Sequence, residues 1–208
     1  MKYQKLEIDR LGKFISFVLR HHPESIGLTL DDFGYADVNE LISKMNANGK
    51  HINFDTLKYI VDTNDKKRYS FNQDSTRIRA NQGHSINVDL QLTERIPPNL
   101  LYHGTAIRFL DSIMSEGITK QTRQYVHLSK DIDTAIKVGK RHGKCAVLIL
   151  NATKMYQEGV KFYLSDNGVW LTDYVNPKYI QEVQPHSSKS TTSIGVGINC
   201  HGLKKYAE

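Results

Sequence analysis

The sequence predicts an α+β protein of two lobes, and three observations carry that prediction. A Pro97-Pro98 pair divides the 208-residue chain near its middle. Before it, three runs at helical period precede two short alternating segments; after it, short apolar runs alternate with helical stretches and single glycines. Adjacent prolines block both a helix and a central strand, so they mark a boundary. With 39% hydrophobic residues, each side of roughly 100 residues can bury a core of its own. The expected division is 1–96 for the first lobe, 97–184 for the second and 185–208 for a polar tail.

Each element has a local reason. Leu11, Phe14, Ile15 and Val18 repeat at helical spacing and predict a helix over about 6–20. Asp37 followed by Glu40 resembles a capping box that opens a second helix, which Asn48-Gly49 ends. Leu57, Ile60 and Val61 place a third helix at 54–62. RYSFNQ (68–73) and TRIRAN (76–81) alternate as strands around the turn residues Asp74 and Ser75. Three helices followed by a hairpin form a winged-helix-like arrangement, a frequent nucleic-acid binder. In the second lobe, strands are expected at 99–103, 125–128, 144–150, 160–164 and 168–172, with helices at 106–116 and 131–141. Gly104, Gly117, Gly143, Gly159 and Gly168 punctuate them, giving a mixed α/β lobe. The text after Pro185 is rich in Gly, Ser and Thr and predicts a flexible or loosely docked tail.

Charge and cysteine usage narrow the class. The net charge is +6, but residues 1–98 hold 14 Lys and Arg against 13 Asp and Glu, and the rest hold 14 against 9. The basic surplus therefore lies in the second half, compatible with a polyanionic partner. Cys145 and Cys200 are too few and too distant for a disulfide framework or a metal cage, so a cytoplasmic protein is expected. No His/Cys/Asp cluster has ligand spacing, and no metal is expected. The first ten residues lack an apolar signal region and no stretch approaches 18 apolar residues, so neither export nor a membrane span is expected.

His-centred motifs joined to separated arginines carry the chemistry: LRHHP (19–23), KKRYSF (66–71), ANQGHS (80–85), LYHGT (101–105), RQYVHLS (123–129) and GVWLTDYVNPKYI (168–180). Arginine and histidine without a paired acid suit a phosphate that brings its own nucleophilic oxygen. In this order and with these gaps, the motifs resemble the RNA 2′-phosphotransferases of the Tpt1/KptA family over roughly residues 6–183. The resemblance implies a winged-helix-like N-terminal lobe and an ADP-ribosyltransferase-like C-terminal lobe that holds NAD as co-substrate. It also implies the reaction: removal of an internal RNA 2′-phosphate, as at a tRNA splice junction, through a 2′-phospho-ADP-ribosylated RNA. The products would be 2′-OH RNA, nicotinamide and ADP-ribose 1″,2″-cyclic phosphate.

Site residues follow by the same resemblance. The family's Arg-His-Arg-Arg set falls on Arg20, His21, Arg68 and Arg123. Arg20, His21 and Arg68 would clamp the 2′-phosphate, and Arg123, from the NAD lobe, would act in the second step. A planar guanidinium grips two phosphate oxygens and keeps its charge, which is why arginine suits this work. His103 and His127 would contact NAD, with Gly104 and Thr105 allowing close backbone approach and Ser129 nearby. A third position, apolar in the family, falls near Val175, with Asp173 and Glu182 close in sequence. Asn81, Gln82, His84 and Ser85 are assigned to RNA docking or to the lobe interface. The expected partner is RNA with an internal 2′-phosphate, and the expected state a monomer.

Blander readings compete. An Arg-His pair at a helix end complements the dipole, Arg77 and Arg79 read as a solvated face, His22 as incidental, and Trp170 and Tyr174 as core rather than as the lining of a nicotinamide or base pocket. Two other functions stand beside the main one. A winged-helix nucleic-acid-binding regulator leaves LYHGT and RQYVHLS without a task. An ADP-ribosyltransferase acting on protein or on a nucleic-acid phosphate shares the NAD lobe and differs in acceptor. The sequence does not choose between spliced tRNA, another RNA and a small phosphorylated molecule.

Overall fold

A computed structural model describes residues 5–186 as a mixed α/β fold with small sheets and, among the described residues, six α-helices. In chain order the elements are α1 (Lys5–Arg20), β1 (Tyr35–Asp37), α2 (Val38–Ala47), α3 (Phe54–Asp62), β2 (Tyr69–Phe71) and β3 (Arg77–Ala80). There follow β4 (Leu100–Ala106), α4 (Leu110–Glu116), β5 (Ile118–Thr119), β6 (Val126–Leu128), α5 (Ile132–Gly139) and β7 (Cys145–Asn151). The last are α6 (Ala152–Gln157), β8 (Tyr163–Leu164), β9 (Trp170–Thr172), β10 (Tyr174–Val175) and β11 (Ile180–His186). No helix among them is long and apolar enough to cross a membrane.

The chain forms two compact units. Among the described residues, one comprises those up to Ile96 with Thr119–His127 and Lys161–Tyr174; the other comprises Pro97–Ile118, Leu128–Val160 and those from Val175 onward. One junction thus lies at the proline pair, and two later segments return to the first unit.

In the first unit, α1 turns Leu11, Ile15, Val18 and Leu19 inward against Leu41 and Met45 of α2 and Leu57 and Ile60 of α3. Tyr69, Ile78 and Ala80 close the same core from an antiparallel sheet of order β1-β3-β2. The anticipated cap on α2 is half of a box. Asp37 accepts from Glu40 N at 2.9 Å, but the Glu40 carboxylate turns to Thr29 N instead of closing on its cap. The solvated face expected at Arg77 and Arg79 is instead engaged. Arg77 pairs with Asp31 at 2.9 Å, and Arg79, only 13% exposed in its side chain, pairs with Asp166 at 3.0 Å and lies over the Tyr35 ring. Trp170 is buried and meets Phe162 edge-on, as the core reading expected, whereas Tyr174 is 40% exposed and is not part of the core.

In the second unit, β7 runs between β4 and β11, antiparallel to both. A strand with neighbours on both edges and cover on both faces has no polar side, and CAVLIL is buried throughout. β11 (IQEVQPH) escaped the sequence reading because it is an edge strand of mixed polarity, and an edge accommodates Pro185. The expected tail therefore begins inside a strand, with Pro185 opposite Ala146 and His186 opposite Cys145; the rest of 185–208 lies outside the described residues.

Gly117, Gly143, Gly159 and Gly168 take positive φ and turn the chain. Gly104 differs, since it lies within β4. A Cβ there would overlap the Ala135 carbonyl oxygen of α5, and a Cβ on Gly139 would come within 2.8 Å of the Thr105 oxygen. The two glycines let helix and strand backbones touch. Gly104→Ala is expected to destabilise the protein by about 3 kcal/mol or more. Gly159→Ala, where no atom lies within 4 Å and φ is +89°, should cost only about 1 kcal/mol through its backbone. Urea unfolding of both variants checks the contrast.

Candidate active site

Helix α1 delivers Arg20 and His21 at its C-terminal turn, where the Phe17 carbonyl accepts from both His21 N and His22 N at 3.0 and 3.1 Å. The Arg20 guanidinium crosses to the loop before β2 and donates from Nη2 to the Arg68 carbonyl at 3.2 Å. It lies along Gly83, whose φ of +88° folds the chain against it. Ser85 then fastens the same turn twice: its N–H donates to the Arg20 carbonyl at 3.0 Å, and its hydroxyl meets His21 Nδ1 at 2.9 Å.

Asn81 organises the Arg68 loop. Buried, it donates from its side chain to the Lys67 carbonyl and accepts from Ser70, both at 2.7 Å, while its N–H donates to the Arg68 carbonyl at 2.8 Å. Asn64 holds the loop's other side by accepting from Arg68 N at 3.1 Å. Lys67 sits at φ +41°, a left-handed conformation these bonds sustain.

Arg123 reaches the same neighbourhood from far along the chain. Gln124 N–H donates to the His84 carbonyl at 3.1 Å, and the Gln124 side-chain amide donates to the Val88 carbonyl at 2.9 Å. Thr119–His127 is thereby pinned to the ANQGHS segment within the first unit. Arg123 is exposed, and its Nη1 lies 3.4 Å from His127 Nδ1.

The electrostatics are one-sided. Burial, then the charges of Arg68 and Arg123, lower the Arg20 guanidinium to about 10. Among the described residues no carboxylate pairs with Arg20. His21 is pushed below its ordinary value by burial, Arg20 and Arg123. His84 is 1% exposed, has no partner for either ring nitrogen among the described residues, and is lowered to about 4 by burial, Arg20, His21 and Arg79. Such a concentration of positive charge attracts anions.

The expected NAD residues are distributed differently. His103 and Ser129 both belong to the second unit, where Tyr102, the neighbour of His103, exchanges backbone hydrogen bonds with Ser129 at 2.9 and 2.7 Å. His103 is partly exposed there. Gly104 and Thr105 are buried, and the close approach that Gly104 permits is to α5. Val175 is wholly buried. His127 lies in the first unit beside Arg123, and Gln82 is half-buried next to Gly83. The sequence reading missed Asn64 and Gln124, whose bonds orient Arg68 and place Arg123. Gln124 lies within a quoted motif, but nothing local reveals a bond to a carbonyl 36 positions away.

Comparison with known proteins agrees with this arrangement of motifs. The family described as RNA 2′-phosphotransferase, Tpt1/KptA family, matches residues 7–174. The chain is similar to proteins named "Probable RNA 2′-phosphotransferase" from several bacteria. That of Flavobacterium johnsoniae is 55% identical over 171 residues, covering 82% of this chain and 94% of that protein. That of Fusobacterium nucleatum is 55% identical over 173 residues, covering 83% and 97%. That of Acaryochloris marina is 49% identical over 178 residues, covering 86% and 98%.

His84 gives the site a pH signature. Its folded-state value of about 4 lies below the unfolded value of 6.5, so the unfolded chain binds the extra proton. Stability is therefore lost as pH falls from about 6.5 towards 4, by roughly 3 kcal/mol for this group. His84→Leu should remove that part of the loss, and urea unfolding of both proteins at pH 7, 5.5 and 4.5 measures it. Parallel curves would contradict the assignment.

Proposed function

The chain belongs to the RNA 2′-phosphotransferase, Tpt1/KptA family, and on that premise we propose that it uses NAD to remove an internal 2′-phosphate from RNA such as a spliced tRNA. The observation that carries the reading is Arg20, a mostly buried guanidinium that faces the charges of Arg68 and Arg123 and pairs with no carboxylate among the described residues. A protein interior tolerates such a cluster when a phosphate completes it.

In this reading the first, winged-helix-like unit receives the RNA 2′-phosphate on Arg20, His21 and Arg68. His103 and Ser129 of the second, ADP-ribosyltransferase-like unit hold the dinucleotide, with His127. Their partial exposure suits a ligand contact. The buried Gly104, Thr105 and Val175 support that binding surface from behind. A 2′-phosphate oxygen bonds to the anomeric carbon of the nicotinamide ribose, and nicotinamide leaves with the electron pair of the broken bond. The phosphate is already anionic, so this step needs alignment and no base.

The neighbouring hydroxyl of the same ribose then attacks phosphorus, and the RNA 2′-oxygen departs and takes up a proton. Its products are 2′-OH RNA and ADP-ribose 1″,2″-cyclic phosphate. Arg123 offsets the charge that builds on the phosphoryl oxygens. His21, neutral at pH 7 because burial and its cationic neighbours lower it, accepts the hydroxyl proton; Nδ1 is engaged by Ser85 Oγ at 2.9 Å, which leaves Nε2 for the transfer.

Incubation with NAD and an RNA bearing one internal 2′-phosphate is expected to release nicotinamide and the cyclic phosphate and to restore the 2′-hydroxyl. Arg20→Ala and Arg68→Ala should each slow the first step on the order of a hundredfold. Arg123→Ala should let the 2′-phospho-ADP-ribosylated RNA accumulate, which gel electrophoresis resolves. A stable ADP-ribosylated product from the wild type would favour the transferase alternative, and RNA binding without NAD turnover would favour the regulator.

A further inference from the structure

The first helix has a second face that the reaction does not use. With its core stripe on Leu11, Ile15, Val18 and Leu19, the positions Arg10, Lys13 and Phe17 fall away from the core at helical spacing, and half-buried Phe14 packs at the border between the two faces. The same stripe continues one turn further to His21. With Gly49, Lys50 and His51 from the loop after α2, and with Leu11 at its floor, Arg10, Lys13, Phe14 and Phe17 border an open hollow of about 520 Å³. Glu7 is the acid on its rim.

The hollow has an aromatic side. Phe14 and Phe17 stack with ring centroids 6.3 Å apart, and Phe17 meets the His22 ring at 4.9 Å. Glu24 fixes that ring by its 2.8 Å contact with His22 Nδ1. Lys50 Nζ stands 5.3 Å over the Phe14 ring. Phe17 is nevertheless 41% exposed, on a helix whose other face is fully packed. Gly49, at φ +69° with no atom within 4 Å of the Cβ position, leaves the mouth open.

We infer that this face of α1 is the track for the single-stranded RNA flanking the 2′-phosphorylated nucleotide, with Phe17 and His22 as the stacking platform and Arg10, Lys13 and Lys50 along the backbone. Two observations select this occupant. Rings interleaved with cations match a strand that presents bases on one side and phosphates on the other. The platform is also continuous with the phosphate cluster, because the Phe17 carbonyl accepts from His21 N and His22 N at 3.0 and 3.1 Å. Phe14 and His21 lie roughly 10 Å apart along the helix at 1.5 Å per residue, so a strand leaving Arg20 and His21 meets the rings next. The local basic patch persists although the first half of the chain is nearly neutral.

The inference rests on the RNA reading above, and direct binding tests it apart from turnover. Wild type and variants are titrated into a labelled single-stranded RNA with one internal 2′-phosphate, without NAD, and affinity is followed by fluorescence anisotropy at several salt concentrations. Phe17→Ala is expected to weaken binding about tenfold, while Phe17→Trp keeps it. Lys13→Gln with Lys50→Gln should lower the slope of log affinity against log salt by about 1.4. The substituted side chains are exposed, and melting curves matching wild type establish that the variants fold. Unchanged affinity and slope in these variants, or a wild type that does not hold the strand, overturns the proposal. Weakened variants alongside a wild type that releases no nicotinamide from NAD would keep the track and sink the phosphotransfer reading.

Discussion

The first unit is organised around a repulsion. Arg20 is drawn out of water beside two other guanidinium groups, an arrangement that opposes folding on two counts, desolvation and like charge. What holds it is neutral: the Arg68 carbonyl, the chain folded against it at Gly83, and the Ser85 bonds to the turn that carries it. A carboxylate would hold the guanidinium more strongly and would also occupy it. Carbonyl and hydroxyl partners fix its direction and leave its charge unspent.

The second unit solves a different problem by removing atoms. Gly104 and Gly139 lack the side chains that would separate β4 from α5, so the helix lies directly on the strand that presents His103. A strand backed so closely has little freedom to shift, and β7, buried along its apolar run, braces its other edge. In both units the side chains that could touch a ligand rest on backbone geometry that glycine makes accessible.

Local physics made much of this readable. The helical stripe of α1, the Asp37 cap and the Arg20-His21 pair each announce themselves within a few residues, because period and capping are short-range effects. β1 and β11 were hidden for the opposite reason. Tyr35–Asp37 has only three residues, and β11 mixes polarity because one of its edges is free. The return of 119–127 to the first unit depends on Gln124 reaching the carbonyls of His84 and Val88. Such hydrogen bonds have no period and leave no trace in composition. Asn81 was read as a docking residue for the same reason: its role as the internal brace of the Arg68 loop exists only once the loop is folded.

The same contrast bears on specificity. A buried guanidinium that lies beside two others and has no carboxylate partner among the described residues gains most from the ligand with the greatest charge at one point, and a phosphomonoester at neutral pH carries between one and two negative charges on adjacent oxygens. A protein carboxylate offers one charge on two oxygens and would leave part of the repulsion unrelieved. The neutral histidines sharpen the difference. His21 and His84 are both held below their ordinary values, first by burial and then by their cationic neighbours, and a dianion that offsets Arg20 relieves the second of these causes. Binding the right acceptor therefore raises the proton affinity of the group placed to take up the ribose proton, so recognition and proton transfer draw on a single electrostatic imbalance.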